Sequence, residues 1–318
     1  MKKDMKLAIV VPCYNEEEIL PETINRLNNK INELIKDNKV SDKSYILFID
    51  DGSTDKTWEL IIKNSKSTPN IKGIKLSRNQ GHQNALLAGI NYVENRCDYL
   101  ISLDADLQDD INTIVQMVDK FNEGFEIVYG VRNDRNSDSI LKKSTAENYY
   151  RFMKLIGVEL VFNHADYRLM SNKAISYFNN FTEINLFIRG IIPLIGLKST
   201  KIYYSRKKRL AGESKYPLRK MLSFALNGIT SFSIIPLRII SYIGIIVFIL
   251  SFIMGCYILY LGLFTNLTIP GWSSTVLPIY FIGGIQLLSI GIVGEYIGKI
   301  YIETKKRPRY FIEEILDE

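Results

Sequence analysis

The chain has 318 residues, of which 47% are hydrophobic, and a formal net charge of +6. This length suffices for one large domain or two smaller ones. The three cysteines have neither disulfide nor metal-site spacing, which fits a reducing compartment. No aromatic-and-basic recognition motif accompanies the positive charge, so anionic lipid or phosphate is the expected partner and nucleic acid is not.

Short apolar runs alternate with stretches of helical periodicity from the start of the chain to residue 132. The runs that predict strands are KLAIVVPCY, SYILFIDDGS, IKGIKLS, DYLISLDAD and EIVYGVR. The segments between them predict helices. Strand–helix alternation at this spacing predicts an α/β domain whose mostly parallel sheet is covered by helices. Ligands of such a sheet bind beyond the carboxyl ends of its strands.

Polar side chains gather where four of these predicted strands end. They are found at Pro12 to Glu16, Asp50 and Asp51, Asp104 to Asp106, and Arg132. Asp104 and Asp106 are one residue apart, so on an extended strand their side chains point to the same face. Two such carboxylates repel each other unless solvent screens them at an exposed strand end or a cation lies between them. Mg²⁺ and Mn²⁺ are hard ions that prefer oxygen ligands, so the pattern favours a divalent metal site.

Several catalytic motifs are missing from the sequence. There is no G-x-G-x-x-G after the first predicted strand, no G-x-x-x-x-G-K-[ST] and no G-x-S-x-G. Their absence argues against a nicotinamide dehydrogenase, a P-loop enzyme and a serine hydrolase with a nucleophile elbow. Since the chain has only two histidines, a histidine metal site is not expected either.

A long tract near the C-terminus, residues 239–294, contains no Asp, Glu, Lys or Arg. Within it, 239–264 and 274–294 are each long enough to cross a bilayer, which takes roughly 20 apolar residues. A buried helical hairpin in a soluble core is the alternative. Basic residues flank the pair on both outer sides, and the loop between them has none. The positive-inside bias therefore predicts a multi-pass protein of the cell membrane, with both termini and the α/β domain in the cytoplasm.

The segment 216–238, just before the first apolar stretch, carries apolar residues at helical spacing and polar residues largely on the other side. This pattern predicts an amphipathic helix at the membrane interface; a helix packed on the α/β domain is the alternative. The predicted organisation is then an α/β domain at 1–215, a juxtamembrane helix at 216–236, a transmembrane hairpin at 237–302 and a basic cytoplasmic tail at 303–318.

The chain resembles the polyprenyl-phosphate sugar transferases of glycosyltransferase family 2, which include dolichyl-phosphate mannose synthases. Seven motifs carry the resemblance in order and spacing: VVPCYNEEE, FIDDGSTDKT, LSRNQGHQNALLAGI, LDADLQDD, YGVR, ADYRLM and RLAGESKY. It runs from about residue 6 to 235, and the two apolar stretches resemble the bacterial undecaprenyl-phosphate glucosyltransferase branch. The resemblance implies a Rossmann-like GT-A fold, a nucleotide-sugar donor, Mg²⁺ or Mn²⁺, and inversion at the anomeric carbon.

The resemblance also implies roles for individual residues. Those expected to hold the nucleotide base and ribose are Pro12, Tyr14, Glu16 and Asp51. Those expected to meet the ribose, metal and diphosphate are Asp104, Ala105 and Asp106, with Gln108 completing the metal shell. Those expected to engage donor or acceptor phosphates are Arg132, Arg209 and Lys215. Arginine forks match phosphate geometry and lysine supplies a point charge, which agrees with the last group.

Simpler interpretations exist for some of these residues. Capping of a strand end or helix start is the alternative for Asp51 and Glu16. An ordinary basic flank of a membrane helix is the alternative for Arg209 and Lys215. His82 stands at a predicted helix start, where a structural role is expected rather than that of a base.

The reaction implied by the resemblance is transfer of one sugar, from UDP-glucose or another UDP-hexose, to membrane polyprenyl (undecaprenyl) phosphate. The Q-x-x-R-W signature of processive polysaccharide synthases is absent, which favours a single transfer. A homo-oligomer, such as a tetramer, is also implied. Two alternatives stay open: transfer to a protein, polysaccharide or diacylglycerol, and a non-catalytic nucleotide-sugar-binding partner of a lipid flippase. Lipid-dependent release of a nucleoside diphosphate would exclude the non-catalytic alternative.

Overall fold

The structure is a computed structural model that describes residues 4–133, 164–184, 187–205, 235–264 and 272–317. The described residues fall into two compact units. The first takes those up to residue 205 together with 307–317, and the second takes two long helices that lie between these segments in the chain.

The first unit is built from strands and short helices. Its strands are β1 (Leu7–Cys13), β2 (Tyr45–Asp50), β3 (Ile71–Leu76), β4 (Tyr99–Ser102), β5 (Ile127–Arg132), β6 (His164–Ser171), β7 (Ser199–Tyr204) and β8 (Ile312–Leu316). Its helices are α1 (Leu20–Lys36), α2 (Thr57–Ser67), α3 (His82–Val93), α4 (Thr113–Asn122), α5 (Asn172–Asn179) and α6 (Ile188–Leu194). The second unit consists of α7 (Ile235–Phe264) and α8 (Trp272–Lys305). The five strands and four helices predicted before residue 133 are confirmed.

The sheet is mixed, with the strand order β7-β5-β6-β4-β1-β2-β3-β8. The run β4-β1-β2-β3 is parallel, as the strand–helix alternation predicts, and β5 and β7 also pair in parallel. β6 lies antiparallel between β4 and β5, and β8 lies antiparallel to β3. The prediction of a mostly parallel sheet is therefore corrected to a mixed α/β sheet. Local periodicity reports whether a segment is a strand, but it does not report which neighbour that strand will pair with.

The centre of the sheet is buried on both faces. Every residue of β1 and β2 is buried, which explains why these strands are near-continuous apolar runs. Helix α1 covers the sheet through apolar residues spaced three or four apart: Leu20, Ile24, Leu27, Ile31 and Leu34. Full burial of each such side chain contributes roughly 1.5–3 kcal/mol. This packing holds the carboxyl ends of the strands in place.

The C-terminal segment differs from its prediction. The sequence suggests a separate basic tail at 303–318, whereas the structure adds β8 to the edge of the sheet beside β3. Side chains secure the strand, because the Trp58 indole N–H donates to Glu314 at 3.0 Å and Lys75 pairs with Glu313 at 3.1 Å. These partners are more than 200 residues apart in the chain, so local sequence does not reveal them.

The second unit contains the apolar tract. Helices α7 and α8 have 30 and 34 residues. Within the described part of the chain, one stretch, Ile285–Lys305, is long and apolar enough to cross a membrane by length and composition. Two membrane-spanning helices therefore stay a prediction. The predicted juxtamembrane helix at 216–236 lies outside the described residues except for its last two positions, which begin α7.

Candidate functional site

The carboxyl ends of β4, β1 and β2 lie side by side at one edge of the sheet. β1 is the middle strand of the three, with Cys13 beside Asp50 of β2 and Val10 beside Ser102 of β4. The N–H of Asp51 donates to the carbonyl of Cys13 at 2.9 Å. Because the strands are parallel, the segments that follow them emerge together, and the acidic pairs after β2 and β4 flank the end of β1.

The loop after β1 is tied to the loop after β2. Backbone N–H groups of Asn15 and Glu16 donate to the hydroxyls of Ser53 and Thr57, each at 2.9 Å. In return the Thr54 N–H donates to the Asn15 side chain at 2.9 Å. Tyr14 belongs to this hydrogen-bonded segment and is 44% exposed. The loop therefore presents an aromatic ring to solvent from a rigid support.

Asp51 is held by the main chain of another loop. One of its carboxylate oxygens accepts the N–H of Gln80 at 2.7 Å and the other accepts the N–H of Gly81 at 2.9 Å. The residue is buried, and burial raises the pKa of Asp51 by more than the two N–H groups lower it. These contacts are the capping interaction that is the alternative to nucleotide binding. A nucleotide role for Asp51 stays a prediction.

Asp104, Ala105 and Asp106 follow β4. The Ala105 carbonyl accepts the hydroxyl of Thr23 at 2.8 Å, which fixes the loop against α1. Oxygen Oδ1 of Asp104 is buried and has no hydrogen-bond partner among the described residues. The Gln108 N–H donates to Asp106 at 3.2 Å, so the main chain of Gln108 contacts the second carboxylate. Gln108 is itself buried, and its role as a metal ligand stays a prediction.

Asp104 lies among three other carboxylates, with His82 as the positive side chain beside it. Burial raises the pKa of Asp104; His82 lowers it, and the carboxylates of Asp166, Asp109 and Asp106 raise it again. A divalent cation would offset this repulsion, so the donor set fits one. Among the described residues, no three His, Cys, Asp or Glu side chains form a complete metal-binding group. Such an ion would therefore take its remaining ligands from water or substrate phosphate, as Mg²⁺ commonly does.

A cluster around Asp166 of β6 was not predicted. Arg189 of α6 donates to its two carboxylate oxygens from Nε at 3.2 Å and Nη2 at 2.9 Å, and the buried Arg168 donates to it as well. Nε2 of His82 lies 3.4 Å from Asp166 and 3.5 Å from Asp104. Burial would raise the pKa of Asp166, but Arg189, His82 and Arg168 hold it well below its usual range. Asp166 is therefore a fixed negative charge rather than a proton acceptor.

His82 joins this cluster to the Asp104 loop. It is the first residue of α3, as the sequence suggests, but it also reaches both carboxylates. Burial lowers the pKa of His82, and Asp166 and Asp104 outweigh that effect and raise it. The one available sequence signal was the alternation in ADYRLM, which puts Asp166 and Arg168 on the same face of a strand.

Arg132 ends β5 and lies beside the same acidic loop. It donates to Asp109 at 3.1 Å and to the Tyr204 hydroxyl at 3.2 Å. Neither partner was among the predicted site residues. Two residues predicted to bind phosphate, Arg209 and Lys215, lie outside the described residues.

A sequence model of glycosyl transferase family 2 matches residues 8–178, which include β1 to β6 and the acidic loops. The chain belongs to glycosyl transferase family 2. The family resemblance drawn from the seven motifs is confirmed, and this family 2 member is a glycosyltransferase.

Its relatives match nearly the whole chain. A glycosyltransferase of Bacillus subtilis (strain 168), YkoT, is 49% identical over 309 residues, which are 96% of this chain and 91% of that protein. The bactoprenol glucosyl transferase of Shigella phage SfX is 38% identical over 97% of this chain and 99% of its own. Among solved structures, mannosyl-3-phosphoglycerate synthase from Rubrobacter xylanophilus aligns with a TM-score of 0.47 at 14% identity, covering 86% of this chain and 80% of that one.

Proposed function

We propose that this glycosyltransferase moves one glucose from UDP-glucose, or one hexose from a related UDP-sugar, to undecaprenyl phosphate, with inversion at the anomeric carbon and release of UDP. The observation that carries the proposal is the reach of its similarity to a protein named bactoprenol glucosyl transferase. That similarity spans 97% of this chain, so it includes the apolar helices as well as the sheet. A soluble donor and a bilayer-bound acceptor agree with an enzyme that combines both parts.

The donor nucleotide is proposed to lie at the ends of β1 and β2. Tyr14 supplies an exposed ring on which a base can stack, and Pro12 and Glu16 belong to the same braced segment. Asp51 organises the adjoining Gln80–Gly81 loop and takes part in ribose binding. The donor diphosphate then extends toward the loop after β4, where the carboxylates of Asp104 and Asp106 are.

Asp104 and Asp106 are the residues proposed to hold Mg²⁺ or Mn²⁺. The support is the buried oxygen of Asp104 that has no hydrogen-bond partner among the described residues, together with the surrounding excess of carboxylates. When bound, the cation supplies Lewis-acid neutralisation of charge on the diphosphate leaving group. Gln108 is proposed as a further ligand.

The chain needs no general base for this reaction. A phosphate monoester has a second pKa near 6, so its oxygen is already anionic at neutral pH. Positioning and charge neutralisation then supply most of the catalysis. Arg132, Arg209 and Lys215 are proposed to neutralise and orient the phosphate groups. The arginine-bound state of Asp166 agrees with this scheme, because its lowered pKa makes it a poor proton acceptor.

A membrane position for α7 and α8 is part of the proposal. The sheet unit holds residues both before and after the two helices, which is expected if the pair enters and leaves the bilayer on one side. The basic flanks favour the cytoplasm for that side. We also propose a homo-oligomer, for which light scattering in detergent is the measurement.

The reaction is tested with the purified full-length protein in nanodiscs. Undecaprenyl phosphate and a panel of nucleotide sugars are supplied with Mg²⁺, and both nucleoside diphosphate release and lipid-linked sugar are measured. We expect lipid-dependent release with UDP-glucose or another UDP-hexose, and none from the matched Asp106→Asn variant. Transfer to diacylglycerol or protein in place of the lipid phosphate would overturn the proposed acceptor, and donor binding without turnover would overturn the proposed catalysis.

The topology is tested by cysteine labelling in a background without the three native cysteines. A cysteine placed between residues 265 and 271 should react with an impermeant reagent added outside intact cells. A cysteine at Lys305 should react only after the cells are opened. The reverse pattern would place the sheet unit on the outer side, away from cytoplasmic UDP-sugars.

A further inference from the structure

The carboxyl ends of β5 and β7 bring two side chains together. The strands pair in parallel with Arg132 directly beside Tyr204. Asp109, from the loop after β4, reaches the same place: its Oδ1 accepts the Tyr204 hydroxyl at 2.6 Å and Arg132 Nη2 at 3.1 Å. Nε of Arg132 donates to the Tyr204 hydroxyl at 3.2 Å, which closes a three-residue network.

This network uses one edge of the guanidinium and leaves the other open. Nε and Nη2 form the side edge of the planar group, and both donate within the network. The end edge, formed by Nη1 and the second proton of Nη2, has no partner among the described residues. The Arg132 side chain is 26% exposed, whereas that of Asp109 is 2% exposed. A guanidinium end edge of this kind matches two oxygens of one phosphate group.

The support for the network extends beyond its three members. The Tyr204 ring packs edge-on against Tyr167, with centroids 5.4 Å apart and an interplanar angle of 77°. The Tyr167 hydroxyl donates to the carbonyl of Asp110 at 3.1 Å. Both tyrosines are buried. Asp109 and Asp110 lie in the same loop as Asp106, so the loop of the proposed metal ligands also fixes the orientation of Arg132.

We propose that Tyr204 and Asp109 are positioning residues, which clamp the side edge of Arg132 so that its end edge faces a phosphate group of the substrate. The inference rests on the proposed function, in which Arg132 engages phosphate. The phosphate belongs either to the donor diphosphate or to the lipid acceptor. The two sources share this chemistry, and separate kinetic measurements distinguish them.

The test compares Tyr204→Phe with Tyr203→Phe in the full-length protein in nanodiscs. Tyr203 is the matched control, because it is the preceding residue on β7 and is 58% exposed. We expect Tyr204→Phe to lower kcat/KM roughly tenfold, the usual scale for a lost hydrogen bond to a charged group, and Tyr203→Phe to change it less than about twofold. A rise in KM for the UDP-sugar alone assigns the phosphate to the donor, and a rise for the lipid alone assigns it to the acceptor.

A double variant separates positioning from a general structural role. Lysine has a single ammonium group and no planar edge that Tyr204 and Asp109 could hold. In an Arg132→Lys background, Tyr204→Phe should therefore lower kcat/KM by less than about a further twofold. An undiminished tenfold loss in that background, or no loss from Tyr204→Phe in the wild type, would overturn the inference while leaving the phosphate role of Arg132 intact. Full activity of Arg132→Lys and Arg132→Met would instead overturn the proposed function of Arg132 itself.

Thermal unfolding is measured for each variant. If Tyr204→Phe lowers the midpoint by more than about 5 °C, the same cycle is run with Asp109→Asn, which keeps an acceptor oxygen but removes the charge. If the loss of kcat/KM in the double variant is smaller than the two single losses combined, the positioning role is supported. If the two losses simply multiply, the inference is overturned.

Discussion

Two pairs of aspartates lie at the carboxyl ends of the strands that flank β1, and their surroundings differ. Asp50 and Asp51, at the end of β2, accept backbone N–H groups: Ser53 donates to the first, and Gln80 and Gly81 donate to the second. Asp104, after β4, has a buried oxygen that accepts no hydrogen bond among the described residues; His82 Nε2 lies 3.5 Å from it, and the carboxylates of Asp166, Asp109 and Asp106 are also nearby. The sequence signal is the same at both places, namely acids at the end of an apolar strand.

The difference shows how a carboxylate with a structural role can be distinguished from one that is suited to binding a cation. A buried carboxylate whose two oxygens each accept a backbone N–H is satisfied within the fold, and each oxygen keeps a further lone pair for a ligand. A carboxylate that has one buried oxygen without a hydrogen bond, and several like charges around it, is stabilised by a bound cation. Asp51 therefore organises the loop of Gln80 and Gly81, beside its proposed part in ribose binding, and Asp104 stays the residue proposed for a cation site.

The largest effect is expected at the β4 pair. Asp106→Asn, and Asp104→Asn nearly as strongly, should lower turnover more than about a hundredfold, because a bound metal contributes several kcal/mol of charge stabilisation. The thermal midpoint of Asp104→Asn should be unchanged or higher, since a neutral amide is not repelled by Asp106 and Asp166. EDTA should silence the wild type, and Mg²⁺ or Mn²⁺ should restore it. Full activity of either variant in metal-free buffer would remove the proposed cation site.

The second prediction concerns the turn that follows Asp51. Gly52 has φ +66°, and an added Cβ would lie 2.5 Å from the backbone of Arg78, so Gly52→Ala should lose about 2–5 kcal/mol of stability. Gly81 is the matched control, because it has φ +88° but nothing within 4 Å of an added Cβ. Gly81→Ala should lose less, about 1–3 kcal/mol, since its only cost is a backbone conformation (φ +88°, ψ +153°) that side chains rarely adopt. Thermal unfolding measures both, and an equal loss would mean that close packing against Arg78 does not matter.

A smaller loss of stability is expected from Asp51→Asn. The side-chain NH₂ group of the asparagine would face the N–H of Gln80 or Gly81. One hydrogen bond is then lost, which lowers the free energy of unfolding by about 1–3 kcal/mol. The midpoint should therefore fall, whereas that of Asp104→Asn should not. The two variants are neutralisations of the same kind, so the contrast tests the comparison directly. If both variants lower the thermal midpoint equally, the two pairs of aspartates do not differ in how the fold stabilises them.

The smallest effect is expected at Tyr14, on the donor side. Tyr14→Ala should raise KM for the UDP-sugar about fivefold and leave kcat nearly unchanged, because a half-exposed stacking contact gives the low end of the usual 1–3 kcal/mol. Tyr14→Phe keeps the ring and should behave like the wild type. A loss confined to kcat would instead link this residue to the reacting groups.

Much of the central fold follows from local pattern. The strands from β1 to β5 and the helices between them were predicted from apolar runs and 3.6-residue periodicity, and parallel pairing then put 12–16, 50–51 and 104–106 at one edge. The position of β6 between β4 and β5 was not predicted. Neither was the return of β8 to β3 after the apolar helices. Both pairings join segments far apart in the chain.

The site divides in the same way. The candidates Asp104 and Asp106 could be recognised because both residues sit in one short motif. Asp166 contacts His82, which lies 84 residues earlier in the chain, and Arg189, which lies 23 residues later. Tyr204 contacts Asp109, which lies 95 residues earlier. No periodicity or spacing rule covers such distances.

The sequence by itself determined the family, the α/β alternation, the apolar tract and the acidic strand ends, because each depends on residues near one another in the chain. Only the tertiary structure decided which acids are satisfied and which are not. Whether a carboxylate meets a backbone N–H, a guanidinium or another carboxylate depends on strand order and on loops brought together by packing. Those encounters set the charge balance at Asp104 and the orientation of Arg132.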